Sequence, residues 1–147
     1  MTIQTSQAPE QPVAPTLEVV GAHVKIKWDA PFANYRNILG YQILIETNVT
    51  DTFVESKALC DGDAQAAVTY CLVDMHDLRA SPFYLTYNVL IRAKVLARNE
   101  RGWSIASVPN SSGARIQVEP LAMGVTSRGI LTGPTQLDVY WSSIITP

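Results

Sequence analysis

Charge is what this sequence has least of: 16% of its 147 residues are Asp, Glu, Lys or Arg, against about 25% in an ordinary globular chain. The 13 acidic and 11 basic residues are interspersed and sum to a net charge of -2. A nucleic-acid backbone or an anionic membrane surface therefore finds no basic footprint here. Long apolar runs are missing too. None approaches the roughly 18 residues of a membrane span, and the first 15 residues lack the basic-then-apolar order of a signal peptide. Histidine is scarce, with His23 and His76 far apart in sequence. No Gly-rich phosphate loop, G-x-S-x-G elbow, H-E-x-x-H or paired C-x-x-C occurs. These gaps point away from an enzyme, and no cofactor, metal, nucleic acid or membrane insertion is expected.

What is present is an ordinary hydrophobic share of 47%, and a length sufficient for one domain with a real core. The apolar residues alternate in short runs separated by turn residues, and hardly any stretch sustains a helical period. Val24, Ile26 and Trp28 share one face of a strand, and His23, Lys25 and Lys27 the other. Tyr41, Ile43 and Ile45 point inward from the next strand, and a short edge strand over 52–55 follows. Cys71, Val73 and Met75 alternate in another. Residues 88–99 read as the longest strand, with Val89, Ile91, Ala93, Val95 and Ala97 inward and Arg92, Lys94 and Arg98 forming an outward basic stripe opposite Glu46 and Glu55. A hairpin at 100–103 leads to a last strand, broken near 109–113, that ends at 118. Neither of two such sheets could bury its apolar face alone. The reading is all-β: a two-sheet antiparallel immunoglobulin-like sandwich of about seven strands with extended terminal segments, a barrel being the alternative.

Trp28 closing a strand before Pro31, Gly40-Tyr41 opening the next, and Ala97-Arg98-Asn99-Glu100-Arg101-Gly102-Trp103-Ser104 together resemble a fibronectin type III domain over residues 12–119. The resemblance implies a core signature of Trp28, Tyr41, Val95, Ala97, Asn99 and Gly102. Trp28 would fill the centre of the sandwich, and Gly102 would take the positive φ of the hairpin. The family's tyrosine six residues before the alanine is Ile91 here, so the expected corner hydrogen bond falls to Tyr84 or Tyr87 or is absent. The family usually lacks a disulfide.

Cys60 and Cys71 are close enough to pair, which would suit an oxidising compartment; two buried free thiols are the plainer alternative. Asn48-Val49-Thr50 and Asn110-Ser111-Ser112 both satisfy the glycosylation sequon. Asp61, Asp63 and Asp74 match no calcium-loop spacing and read as polar turns. Ser104 and Ser107 read as strand-edge hydroxyls. Trp103, at a hairpin tip, is the aromatic most suited to meeting a partner.

Shifting the chain by 113 pairs Trp28 with Trp141, Ile26 with Val139 and Val24 with Leu137, and also pairs Ile3-Gln4 with Ile116-Gln117. Residues 1–11 then read as the end of a preceding module and a proline-rich linker, 12–119 as one module, and 120–147 as the first two strands of the next. On that reading Met1 is not a natural initiator, and junctions near Pro9 to Pro15 and at Pro120 set the angle between modules. The expectation is a non-catalytic structural or adhesive module of an extracellular or cell-surface tandem protein, part of a filamentous or other assembly. Its partners would be neighbouring modules or other copies, and possible anionic glycans on the basic stripe. The alternatives are an accessory module of a secreted polysaccharide-active enzyme and an intracellular elastic protein, the latter requiring free thiols.

Overall fold

A computed structural model describes residues 6–64, 66–118 and 126–141. The chain forms two compact units, Met1–Gln117 and Val118–Pro147. Residues 3 and 4 and Pro120, invoked above as repeat partners and junction, lie outside the described residues.

The first unit is a sandwich of seven strands: β1 (Thr16–Val20), β2 (His23–Lys27), β3 (Gly40–Glu46), β4 (Phe53–Glu55), β5 (Tyr70–Asp74), β6 (Ala93–Asn99) and β7 (Gly102–Trp103). One sheet has the order β1-β2-β5 and the other β4-β3-β6-β7, all antiparallel. Period two is what builds the core. Val24 and Ile26 on β2, Tyr41, Ile43 and Ile45 on β3, Val73 on β5, and Ala93, Val95 and Ala97 on β6 are all buried. Each large aliphatic side chain so buried stabilises by roughly 1.5–3 kcal/mol. Trp28 and Tyr41 meet at the centre, ring centroids 5.5 Å apart and tilted by 60°, an edge-directed geometry that aromatic quadrupoles favour.

Three expectations are corrected. The strand expected over 88–99 begins only at Ala93, because Asn88 takes φ 64° and turns the chain; Val89, expected inward, is exposed while Ile91 stays buried. The last strand is two residues of β7, followed by an irregular segment and an isolated Leu90–Arg115 bridge. Met75 is not the end of β5. It opens a helical turn, α1 (Met75–Leu78), whose N-cap Asp74 accepts from the His76 amide at 2.8 Å, satisfying one of the orphan donors every helix start has.

The second unit holds a hairpin of β8 (Ser127–Arg128) and β9 (Val139–Tyr140), paired Ser127 to Tyr140 and Arg128 to Val139. Asp138 ties it together: its backbone carbonyl accepts from the Gly129 amide at 2.7 Å and the Thr132 hydroxyl at 2.9 Å. Leu137 and Trp141 are exposed.

Candidate functional site

Three features of the first unit carry its sequence-specific chemistry: a proline strap, a side-chain ladder and the edge that presents Trp103. The strap is residues 6–15. Pro9, Pro12 and Pro15 are buried while Glu10 and Val13 face solvent, a period of three residues that suits the polyproline II helix. Asn99, buried at 2% exposure, donates from one amide to the carbonyls of Gln7 (2.8 Å) and Ala33 (3.0 Å). Its Oδ1 accepts from the Arg101 amide at 2.8 Å. Asn34 donates to the Ala8 carbonyl, the Glu10 amide to Phe32, and Gln11 to Ala106. The stretch expected as a linker before a boundary at residue 12 is thus bonded to the sandwich from Ser6 onward. Asn99 acts as a clamp as well as a turn residue.

The ladder runs along β6. Ser104 Oγ accepts from the Ala97 amide (3.0 Å), Ser107 Oγ from Val95 (3.0 Å) and Asn110 Oδ1 from Ala93 (2.8 Å). The Ser104 and Ser107 amides donate back to the Ala97 and Val95 carbonyls, and Asn110 Nδ2 donates to Ile91 and Ser112. Three residues of this segment therefore serve two residues of strand, and side-chain oxygens replace the carbonyls that a regular strand would offer. Ser104, Ser107 and Asn110 are buried and Ile105 and Val108 exposed, again with period three. Asn110, one of the two sequon asparagines, is a structural amide at 5% exposure, bonded through both Oδ1 and Nδ2. Tyr84 and Tyr87, the candidates for the corner bond, are both exposed.

At the tip, Gly102 takes φ 128°, a conformation open to glycine at little cost. Trp103 is partly exposed, and Arg98, its cross-strand partner, lies 5.3 Å from the ring centroid. Arg98 reaches Asp63 at 3.4 Å, and Asp63 accepts from Lys57 at 2.7 Å. The Lys57 ammonium, and after it Arg98, hold the Asp63 carboxyl below its usual range; partial burial opposes them. Asp63 sits in the loop closed by the Cys60–Cys71 disulfide, whose Cα atoms are 5.6 Å apart. Gly62 presses that loop onto β3: a Cβ there would meet the Tyr41 carbonyl at 2.5 Å and the Ile43 side chain at 2.6 Å. So the bridge, Asp63, Arg98 and Trp103 form one connected line.

Arg92 pairs with Glu46 at 2.6 Å and reaches Asp51 at 3.4 Å. Lys94 sits 4.0 Å over the Phe53 ring, and Glu55 accepts from Gln42. The basic stripe is therefore largely matched by carboxylates and an aromatic face. Asp61 Oδ1 accepts from the Asp63 and Ala64 amides, an Asx turn. His23 lies opposite Asp74 in the sheet and His76 beside Asp77. Among the described residues no group of three or more His, Cys, Asp or Glu is placed to hold a metal, and no helix is long and apolar enough to cross a membrane. Asn48 is exposed at the turn after β3.

No protein-family model matches the chain, and no curated protein matches it in sequence. Solved structures do match in shape. The titin kinase with its flanking domains aligns over 72% of this chain at 18% identity and TM-score 0.53. The twitchin kinase region from C. elegans aligns over 71% at 17% identity and TM-score 0.52, and the chicken CNTN1 FN1-FN3 domains over 79% at 18% identity and TM-score 0.52. The aligned part covers 17%, 16% and 37% of those chains. Identities this low speak to fold alone, and that fold is a fibronectin type III-like β-sandwich.

Proposed function

We propose that this chain is a non-catalytic module of an extracellular or cell-surface tandem protein, working as a rigid spacer with an adhesive edge. The observation that carries the reading is the second hairpin. In β1 and β2, Leu17 faces Ile26 and Thr16 faces Lys27; in β8 and β9, Arg128 faces Val139 and Ser127 faces Tyr140. The second strand of each pair is displaced by 113 (139 − 26) and the first by 111 (128 − 17), so an antiparallel pair recurs with two more residues between the aligned partners, two positions being paired where β1 and β2 pair five. Val24, Ile26 and Trp28 are buried by a facing sheet, whereas their counterparts Leu137, Val139 and Trp141 are 77%, 36% and 65% exposed. A hairpin with that pattern suits the opening of a second sandwich.

The strap supports the spacer role: a polyproline segment bonded along its length transmits orientation, where a free linker would not. The disulfide favours an oxidising compartment over the intracellular alternative. Trp103, Ile105 and Val108 form an exposed apolar row suited to a protein partner. Reading the coding sequence on either side of this stretch tests the array: further copies of the Trp28 and Ala97-to-Ser104 signatures at a period near that displacement support it, and a catalytic domain there overturns it. Intact mass of the protein from its native source tests the compartment, since reduced cysteines contradict it.

A further inference from the structure

We infer that Asn48, and not Asn110, carries an N-linked glycan whose first sugar seats in the cleft beside it; this rests on the extracellular reading above. Both asparagines stand in sequons, and the fold separates them. Asn110 is buried, and its Nδ2 donates to two carbonyls; a sugar there would displace a bonded hydrogen and require a volume the ladder already fills. Asn48 is exposed. Its turn is held by other groups: the Asn48 backbone amide donates to Phe83, the Val49 amide to Thr47 Oγ1, the Thr52 amide to Val49 and the Asp51 amide to Glu46. The Asn48 side-chain amide takes part in none of these bonds, so a glycan on it leaves them in place.

Beside it lies a cleft of about 240 Å³, below the roughly 300 Å³ where drug-sized sites begin. Leu85 and Val89 line it with apolar surface, Thr47, Thr50 and Thr86 with hydroxyl-bearing side chains, and Glu46 with a carboxylate already paired to Arg92. That lining suits an N-acetylhexosamine, with its C–H face and acetyl methyl on the aliphatic side chains and its hydroxyls and amide toward the threonines. The exposed Val89, which contradicts the simple alternation of its strand, thereby gains a role. In the transfer, Nδ2 of Asn48 bonds to the anomeric carbon of an oligosaccharide carried on a polyisoprenyl diphosphate. The bond from that carbon to the diphosphate oxygen breaks, the lipid diphosphate leaves, and Nδ2 gives up one proton.

The test secretes the full 147-residue chain from a eukaryotic host, so the outcome does not depend on the native compartment. Intact mass is read before and after peptide N-glycosidase for the parent, Thr50→Ala and Ser112→Ala; each variant removes one sequon hydroxyl and leaves both asparagines. One glycan is expected on the parent and on Ser112→Ala, and none on Thr50→Ala. The glycosylated parent should melt about 2 °C or more above the same chain secreted with glycan synthesis inhibited, through the seated sugar; enzymatic release is read by mass alone, because it leaves a carboxylate in place of the Asn48 amide. An unglycosylated parent, or a glycan that survives Thr50→Ala, overturns the site. Equal melting temperatures for the glycosylated and the glycan-free chain overturn the seating.

Discussion

Asn110 does what a strand carbonyl and a strand amide would otherwise do for β6. Replacing it with alanine strands the Ala93 amide and the Ile91 carbonyl away from water, and a buried unsatisfied group costs about 1–3 kcal/mol. Asn110→Ala should lower the unfolding free energy by about 3 kcal/mol in a urea titration; a loss below about 1 kcal/mol would mean that water takes over its bonds. Asp63 gives a pH-dependent counterpart. Its folded pKa is depressed, chiefly by the hydrogen bond from Lys57. The stability it contributes is therefore present above the unfolded carboxyl value of about 3.9 and lost as pH falls through the lower folded value. Asp63→Asn should be less stable than the parent at pH 7, with the gap closing below about pH 4. Parallel stability curves from pH 7 to pH 3 would remove Asp63 from the acid response.

Among the elements, the cross-link between the β4–β5 connection and β5 is the most easily tested. Cys60 and Cys71 are 11 residues apart, and closing a loop of this size stabilises by roughly 3 kcal/mol in the chain-entropy account. Cys71→Ser should lower the melting temperature under non-reducing conditions, and adding reductant to the parent should bring the two together. The same line of contacts runs on through Asp63 and Arg98 to Trp103, so the variant's tryptophan emission should shift as well. The elements also show where the sequence was legible. Strands β2, β3 and β5 were readable because one face of each is buried and period two is imprinted on Val24-Ile26-Trp28 or Tyr41-Ile43-Ile45. The strap and the ladder were not, because their period is three. Pro9-Pro12-Pro15 and Ser104-Ser107-Asn110 match neither the strand nor the helix template, so pattern alone gives a linker for one and edge hydroxyls with a sequon for the other. Alternation also misplaces Val89, because it extrapolates through Asn88, where the backbone turns left-handed. The short α1 left only a local trace, the capping Asp74.

At the scale of the molecule the question is where the folding unit starts and stops. The signature residues put its start at 12, yet Asn34, Asn99, Arg101 and the Phe32 carbonyl all bind chain before that position. Deleting residues 1–11 removes those bonds and the burial of Pro9. Part of the loss is recovered because Asn99 and Asn34 become hydrated once uncovered, leaving a net cost of about 1–3 kcal/mol. Deleting residues 119–147 removes a hairpin whose Leu137 and Trp141 are exposed, while every strand of the first sandwich stays in place. The two truncations should therefore differ: the first lowers the melting temperature by several degrees, the second leaves it within about 1 °C of the parent. Calorimetry on both decides between the boundaries, since equal and negligible effects would restore the start at residue 12. A large effect of the second truncation would show that the hairpin stabilises the first sandwich, in place of waiting for a sheet of its own.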